Sequence, residues 1–301
     1  MDQIRVVFLG TSGGSPSSER NLASLAVVFD GRVILLDCGE GTQYRLLQGP
    51  VSSGRIEAIF ITHLHGDHLY GLPGLLATLG LNGRTDPLAV FGPAGIEPYL
   101  RGIFETSRLR LRYDLSIREC GEGEIADLGG LRVVAARLEH SVECLGFALV
   151  EDDHPGRFDL ERARSLGIPA GPLYGRLQRG EDVEIDGRPI RSSEVVGPRR
   201  RGRRIVYCTD TRPCDGAVGL AREADVLIHE ATFGSDMAAE ARERFHSTAA
   251  EAAEVARRAA AGRLIITHFS PRYRDVTPLV EEARGVFPAT EAAADLTEFA
   301  V

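Results

Sequence analysis

The chain has 301 residues, with 35 arginines and no lysine against 43 acidic residues, for a formal charge of −8. That balance excludes a uniformly basic nucleic-acid surface, so any RNA contact must rest on a local patch, while the length allows a substantial buried core. Five cysteines with no CxxC pair argue for reduced thiols in a cytoplasmic protein, and neither a signal peptide nor an apolar run near the ~18 residues of a membrane span is present.

A first strand is predicted over 4–9 (IRVVFL), running into a glycine- and serine-rich loop at 10–21 (GTSGGSPSSERN). A phosphate-binding P-loop needs Gly-Lys-Ser/Thr and a following helix, and neither is present, so nucleotide binding is rejected here. Strands at 25–29 and 33–36, joined across Asp30-Gly31, read as a β-hairpin.

The stretch 56–68 (IEAIFITHLHGDH) carries the strongest chemical signal. An apolar run of strand length ends in Thr62, and His63, His65, Asp67 and His68 follow within six residues. Side chains alternate along an extended chain, so His63 and His65 point the same way, and a turn at Gly66 brings Asp67 and His68 to a second position nearby. Two adjacent metal ions are the natural expectation. Imidazole and carboxylate suit zinc, with bonds of roughly 2.0–2.2 Å.

Beyond it, a helix is predicted over 71–81, a strand at 88–92, a helix at 94–105 and a strand at 131–135 that ends near His140. Between 153 and 204 hydrophobic periodicity weakens and arginine rises, with 12 Arg against 8 acidic residues, a local +4 in a chain whose remainder is −12. His154 is expected to be exposed there. Arg199, Arg200, Arg201, Arg203 and Arg204 cluster just before a strand at 205–208. That strand delivers Thr209-Asp210-Thr211, the one at 226–228 delivers His229-Glu230-Ala231-Thr232, and the one at 264–267 delivers His268. Open α/β sheets commonly place their sites at such carboxyl ends. Thr248 with Glu251 forms a capping box that opens a helix ending at Gly262. His246, just ahead of it, has no comparable structural reason.

The hexapeptide resembles the HxHxDH signature of the metallo-β-lactamase superfamily, and the rest of the chain is similar to its ribonuclease Z branch. The resemblance implies an α/β fold, the αββα sandwich, as a single domain over 1–301 with an inserted tRNA-binding arm at about 153–204. The loop DCGEGTQ (37–43) matches the family's, with Asp37 ordering the loop and not ligating. LEHSVECLGF places His140 as a third nitrogen ligand. The implied centre is two zinc ions per subunit, one on His63, His65 and His140, the other on Asp67, His68 and His268, with Asp210 bridging. Asp67 is then also placed to orient the nucleophile.

Pro16, Arg20 and Asn21 match the family's PxKxRN loop, where the tRNA 3′ end enters, although Ser18 replaces its lysine. Gly171 and Pro172 in PAGPLYGRL match the glycine-proline motif of the arm. Arg20, Asn21, Gly171, Pro172, Arg199, Arg200 and Arg201 are therefore the expected substrate-binding residues. HEAT (229–232) and HST (246–248) set this branch apart from lactam hydrolases, and a departing ribose oxygen needs a proton, which assigns His246 as general acid with Glu230 as its carboxylate partner. His229 is expected to pack.

The function implied is endonucleolytic removal of the 3′ trailer from precursor tRNA by a cytoplasmic homodimer, leaving a 3′-hydroxyl on the tRNA and a 5′-phosphate on the trailer. The alternative is a hydrolase of the same fold acting on small phosphodiesters or aryl sulfates.

Overall fold

Fourteen strands build two sheets of seven. The structure is a computed structural model and describes residues 4–301. The first sheet contains β1 (Arg5–Gly10), β2 (Ser24–Phe29), β3 (Arg32–Leu36), β4 (Ile56–Phe60), β5 (Leu88–Gly92), β6 (Leu115–Glu119) and, at its edge, β16 (Glu298–Ala300). The second contains β7 (Gly123–Asp127), β8 (Leu131–Leu138), β9 (Cys144–Glu151), β12 (Arg204–Cys208), β13 (Val226–Glu230), β14 (Leu264–Thr267) and β15 (Thr290–Ala292).

Their orders, β16-β1-β2-β3-β4-β5-β6 and β7-β8-β9-β12-β13-β14-β15, repeat one plan. Three antiparallel joints are followed by three parallel ones in each. In this plan β2 matches β9, β3 matches β12 and β4 matches β13.

Strand β8 shows how the layers form. Leu131, Val133 and Ala135 face the other sheet, where they join Phe8, Phe60, Phe147, Ile205 and Ile228, while Val134 and Ala136 face the helical layer behind. That is the period-2 alternation of a strand lying between two apolar environments. Phe60 and Phe91 stack at 4.7 Å in this central layer.

Helices α1 (Thr42–Gln48), α2 (Gly66–Leu69), α3 (Leu72–Leu81) and α4 (Ile96–Ser107) belong to the first half, and Leu46, Leu75, Leu76, Leu79 and Leu100 close a second apolar cluster on the first sheet's outer face. A third cluster packs α7 (Asp215–Leu220), α9 (Ala249–Arg258) and α10 (Thr277–Val286) on the second sheet, largely through alanines such as Ala252, Ala253 and Ala256. Alanine lets a helix lie close and costs nothing in helix propensity. The capping box of α9 is formed, with Thr248 and Glu251 each bonded to the other's backbone. Four layers, αββα, result.

The chain between β9 and β12 leaves the sandwich. It forms α5 (Leu160–Ser165), α6 (Pro172–Gln178) and a hairpin of β10 (Val183–Ile185) with β11 (Arg188–Ile190), and returns at β12; α8 (Ala238–Glu243) lies between β13 and α9 in the second half. Ala163, Ile168, Leu177, Val183, Ile190 and Val195 give this excursion an apolar cluster of its own. Weak periodicity in the sequence therefore did not mean absence of structure: the helices are six and seven residues long and the strands three, too short for a period to register. His154, expected to be exposed, instead sits at the base of the excursion with Nε2 3.1 Å from Glu151, which also holds Arg203 at 2.7 Å.

Candidate metal centre

Strand β4 ends where its backbone needs other partners. Ile61 donates to the carbonyl of Phe91 and Thr62 to Asp37 Oδ1, both at 2.8 Å, and the chain then lifts off the sheet carrying His63. His65 is the N-cap of the short helix α2, so Asp67 and His68 arrive from a helical turn and not from a simple loop. From the second sheet, Asp210 follows β12, Glu230 ends β13 and His268 follows β14, while His140 comes from the β8–β9 turn. Asp37, Asp210 and His268 have φ of 58°, 46° and 59°. Non-glycine residues held left-handed cost of order 1–3 kcal/mol and cluster where a site over-determines them.

These side chains meet as two groups sharing Asp210: His63, His65 and His140 on one side, Asp67, His68 and His268 on the other. His65 Nδ1 lies 3.1 Å from His63 Nε2 and 3.2 Å from His140 Nε2. His68 Nε2 and His268 Nε2 are 3.2 Å apart, and Asp67 Oδ2 is 3.4 and 3.6 Å from them. Asp210 turns one oxygen to each group, Oδ2 at 3.7 Å from His63 and 3.8 Å from His140, Oδ1 at 3.2 Å from His68 and 3.0 Å from His268. Ligands about 2.1 Å from a tetrahedral zinc lie roughly 3.4 Å from one another, so the spacings fit.

The far side of four of the five rings is also engaged. His68 Nδ1 donates to Asp37 Oδ2 at 2.8 Å, His140 Nδ1 to the Phe245 carbonyl at 3.1 Å, and His63 and His268 meet the hydroxyls of Thr62 and Thr232, both at 3.0 Å. His68 turns Nε2 toward carboxylates, and although burial disfavours its charge, Asp210 and Asp37 outweigh that and hold the group well above the ordinary histidine value. Burial and the neighbouring His68 hold His63 well below the ordinary histidine value, and burial lowers His140 too. Burial disfavours charge on His268, but Asp210 and Asp67 outweigh it and push the group to about 10. Burial would raise Asp67, yet hydrogen bonds from His268 and His68 hold it well below the carboxylate range. The carboxylates thus favour positive charge at the position a metal would hold.

Beside the second group, His246 Nδ1 contacts Glu230 Oε1 at 2.8 Å. Glu230 is fully buried and accepts as well from the backbone of Thr211 and Thr232. Burial works against charge on His246, but Glu230 overrides it and raises the group above its ordinary value.

A cavity of about 510 Å³ opens onto these residues, walled also by Gly13, Gly14, Phe233, Phe245, Arg244 and Arg272. The loop at 10–21 reaches it closely: Gly14 N–H donates to Asp67 Oδ2 at 2.7 Å, and a Cβ on Gly13 would lie 2.4 Å from the His268 ring. Arg244 and Arg272, both held by Glu240, were not read from the sequence, where an arginine among many carries no mark.

Other expected residues lie elsewhere. Arg20 bonds the carbonyls of Tyr273 and Arg274, and Asn21 bonds the Glu40 carbonyl, so both brace the loop behind the cavity. Gly171 opens α6 in the excursion, with Pro172 in its first turn. Arg201 pairs with Asp225, Arg200 bonds the Pro155 carbonyl and Arg204 the Leu220 carbonyl, while Arg199 is exposed and makes no ion pair among the described residues. His229 packs behind the site, donating to the Glu230 carbonyl at 2.8 Å, with Nε2 buried and without a partner among the described residues. A larger basin of about 740 Å³ lies at the opposite ends of β4 to β6 and includes none of the clustered ligands.

A family model described as the beta-lactamase superfamily domain matches residues 32–158 and 184–269, omitting α5 and α6. The chain is 49% identical over 303 residues to a ribonuclease Z of Salinibacter ruber, covering 99% of this chain and 94% of the relative. It is 45% identical over 306 residues to a ribonuclease Z of Acaryochloris marina, covering 99% and 98%. The crystal structure of human tRNase Z, short form, superposes with a TM-score of 0.72 at 30% identity over 98% of each chain.

Proposed function

Because the chain belongs to the ribonuclease Z family of the β-lactamase superfamily, we infer that it is an endoribonuclease that removes the 3′ trailer from precursor tRNA. The cut leaves a 3′-hydroxyl on the tRNA and a 5′-phosphate on the trailer. The observation that carries this, within a fold shared by many hydrolases, is the Glu230–His246 contact at 2.8 Å beside the metal cluster. A ribose oxygen leaves poorly without a proton, and this pair supplies one.

The metal ligands are assigned as His63, His65 and His140 for one ion and Asp67, His68 and His268 for the other, with Asp210 spanning both. Imidazole and carboxylate in near-tetrahedral spacing suit zinc, at two ions per subunit. Bound metal lowers the pKa of a water toward ~7 and offsets charge growing on the phosphate. Asp67, steadied by Gly14 N–H, orients the attacking water and accepts its proton. As the bond from phosphorus to the tRNA 3′ oxygen breaks, His246 delivers its proton to that oxygen, and Glu230 stabilises the imidazolium beforehand.

The excursion at 153–204 serves as the tRNA grip, with Gly171 and Pro172 at its exposed turn and Arg199 the guanidinium most available to a phosphate; Arg200 and Arg201 shape its base. Arg20 and Asn21 act through the loop they brace. The protein works as a homodimer, for which exposed Tyr44, Leu47, Tyr70 and Leu81 on and beside the adjoining helices α1 and α3 supply apolar surface. Its substrate and its five unpaired cysteines suit the cytoplasm. Incubating the zinc-loaded protein with a labelled precursor tRNA and mapping both product ends tests the activity; an intact precursor would overturn it.

A further inference from the structure

Each sheet carries a buried carboxylate that touches two imidazoles, one directly and one through a threonine hydroxyl. In the first sheet Asp37 contacts His68 at 2.8 Å and accepts the Thr62 hydroxyl at 3.0 Å, and that hydroxyl lies 3.0 Å from His63 Nδ1. In the second, Glu230 contacts His246 at 2.8 Å and accepts the Thr232 hydroxyl at 2.6 Å, and that hydroxyl lies 3.0 Å from His268 Nδ1. The backbone N–H of each threonine donates to the same carboxylate, at 2.8 and 3.1 Å. Thr62, Thr232, Asp37 and Glu230 are all buried.

The direction of these bonds is forced. An ionised carboxylate only accepts, and a hydroxyl has one hydrogen, so each threonine must give that hydrogen to its carboxylate. Toward the imidazole it can then only accept, which requires the proton of His63 and of His268 to sit on Nδ1. Nε2 of each ring is then the nitrogen left to offer a lone pair to a metal, and Nε2 is the atom turned into the clusters.

We infer that the Thr62 and Thr232 hydroxyls are positioning groups that set the tautomer of one histidine in each metal cluster, and that Glu230 thereby serves the proton donor and the second cluster together. The inference rests on the metal assignment above. Groups behind a metal ligand typically contribute about 10–100-fold in metal affinity.

Thr62→Val and Thr232→Val keep the side-chain shape and remove the hydroxyl. In the zinc-loaded protein each is expected to bind one of its two ions about 10–100-fold more weakly, read by transfer to a chromogenic chelator, while Thr62→Ser and Thr232→Ser hold both as the unaltered protein does. The double valine variant should lose both ions, which separates two independent effects from one shared effect. Two-bond ¹H–¹⁵N spectra of histidine-labelled protein, needing no variant, should find the His63 and His268 protons on Nδ1. Valine variants that keep both metals, serine variants that fail to restore them, or Nε2-protonated rings would overturn the inference. An unaltered protein that holds no zinc would instead overturn the metal assignment.

Discussion

In the candidate metal centre, four histidines have their outward nitrogens fixed by Asp37, Thr62, Thr232 or the Phe245 carbonyl, and the side chains of His63, His68 and Asp210 are almost wholly buried. The excursion between β9 and β12 has a cluster of six small and branched apolar side chains at its heart and arginines on its surface. One region spends its fold on holding atoms to within fractions of an ångström; the other holds a surface in roughly the right place. The contrast teaches that the proposed chemistry and the proposed grip can be separated by experiment, because they are stabilised by different residues.

The largest effect should come from Asp210→Ala. One oxygen serves each ligand group, so both metals should be disturbed together, and cleavage of precursor tRNA and of a nitrophenyl phosphodiester should both fall to background. A variant that kept one activity would break the idea of a single centre.

His246→Ala should divide the two substrates. Precursor cleavage should fall by about 10²–10⁴, the usual contribution of a positioned acid, while the nitrophenyl ester, whose leaving group needs no proton, should lose far less. Glu230 raises the His246 pKa, and the acid works only while protonated, so activity declines as pH rises through that value. Glu230→Gln should therefore move the alkaline limb of the pH profile to lower pH. An unmoved limb would require another source for the acid's pKa.

Excising residues 160–194 should reverse the pattern, removing most precursor cleavage and sparing the ester. Asp159 N–H already bonds the Val195 carbonyl at 2.7 Å, so a short glycine link closes the gap. Within the excursion, Arg199→Ala should reduce the dependence of log affinity on log salt by about 0.7–0.9, the loss of one phosphate contact, and Arg201→Ala by less, since Asp225 already claims that guanidinium. Equal effects would mean that the ion pair opens on binding.

The smallest effect concerns the base of the excursion. Burial would raise the Glu151 pKa, but hydrogen bonds from Arg203 and His154 outweigh it and hold the group at about 2. A carboxylate depressed on folding contributes stability that is present above its ordinary value and lost as pH falls toward the folded one. The difference in melting temperature between the unaltered protein and Glu151→Gln should therefore shrink below about pH 4.5. A constant difference would make the contact one of shape and not of charge.

Much of this candidate site was legible in the sequence because its histidines and carboxylates stand in runs or at strand ends. His63, His65, Asp67 and His68 stand within six residues, and Asp210, Glu230 and His268 each follow an apolar run of strand length. The strands at 25–36, 88–92 and 264–267 were equally plain. What escaped had no local signature. Strand β9 is buried almost throughout and shows no alternation, and α10 begins at a proline that reads as a break. Arg244 and Arg272 become cavity walls only through a fold that brings α8 and the segment after β14 together. Thr62 and Thr232 look like ordinary strand-end threonines until their carboxylates are seen.

The two sheets share one plan, and in that plan the joint from β2 to β3 is the two-residue turn Asp30-Gly31, whereas the matching joint from β9 to β12 carries the whole excursion. The excursion is thus a cassette plugged into a hairpin socket. Loop closure grows costlier only slowly with length, about 0.6 kcal/mol per doubling, so such a socket accepts insertions of many sizes without disturbing the strands that flank it. Residues 152–202 should be exchangeable for an Asp-Gly turn or for a foreign module, leaving the paired strands and the candidate metal centre in place.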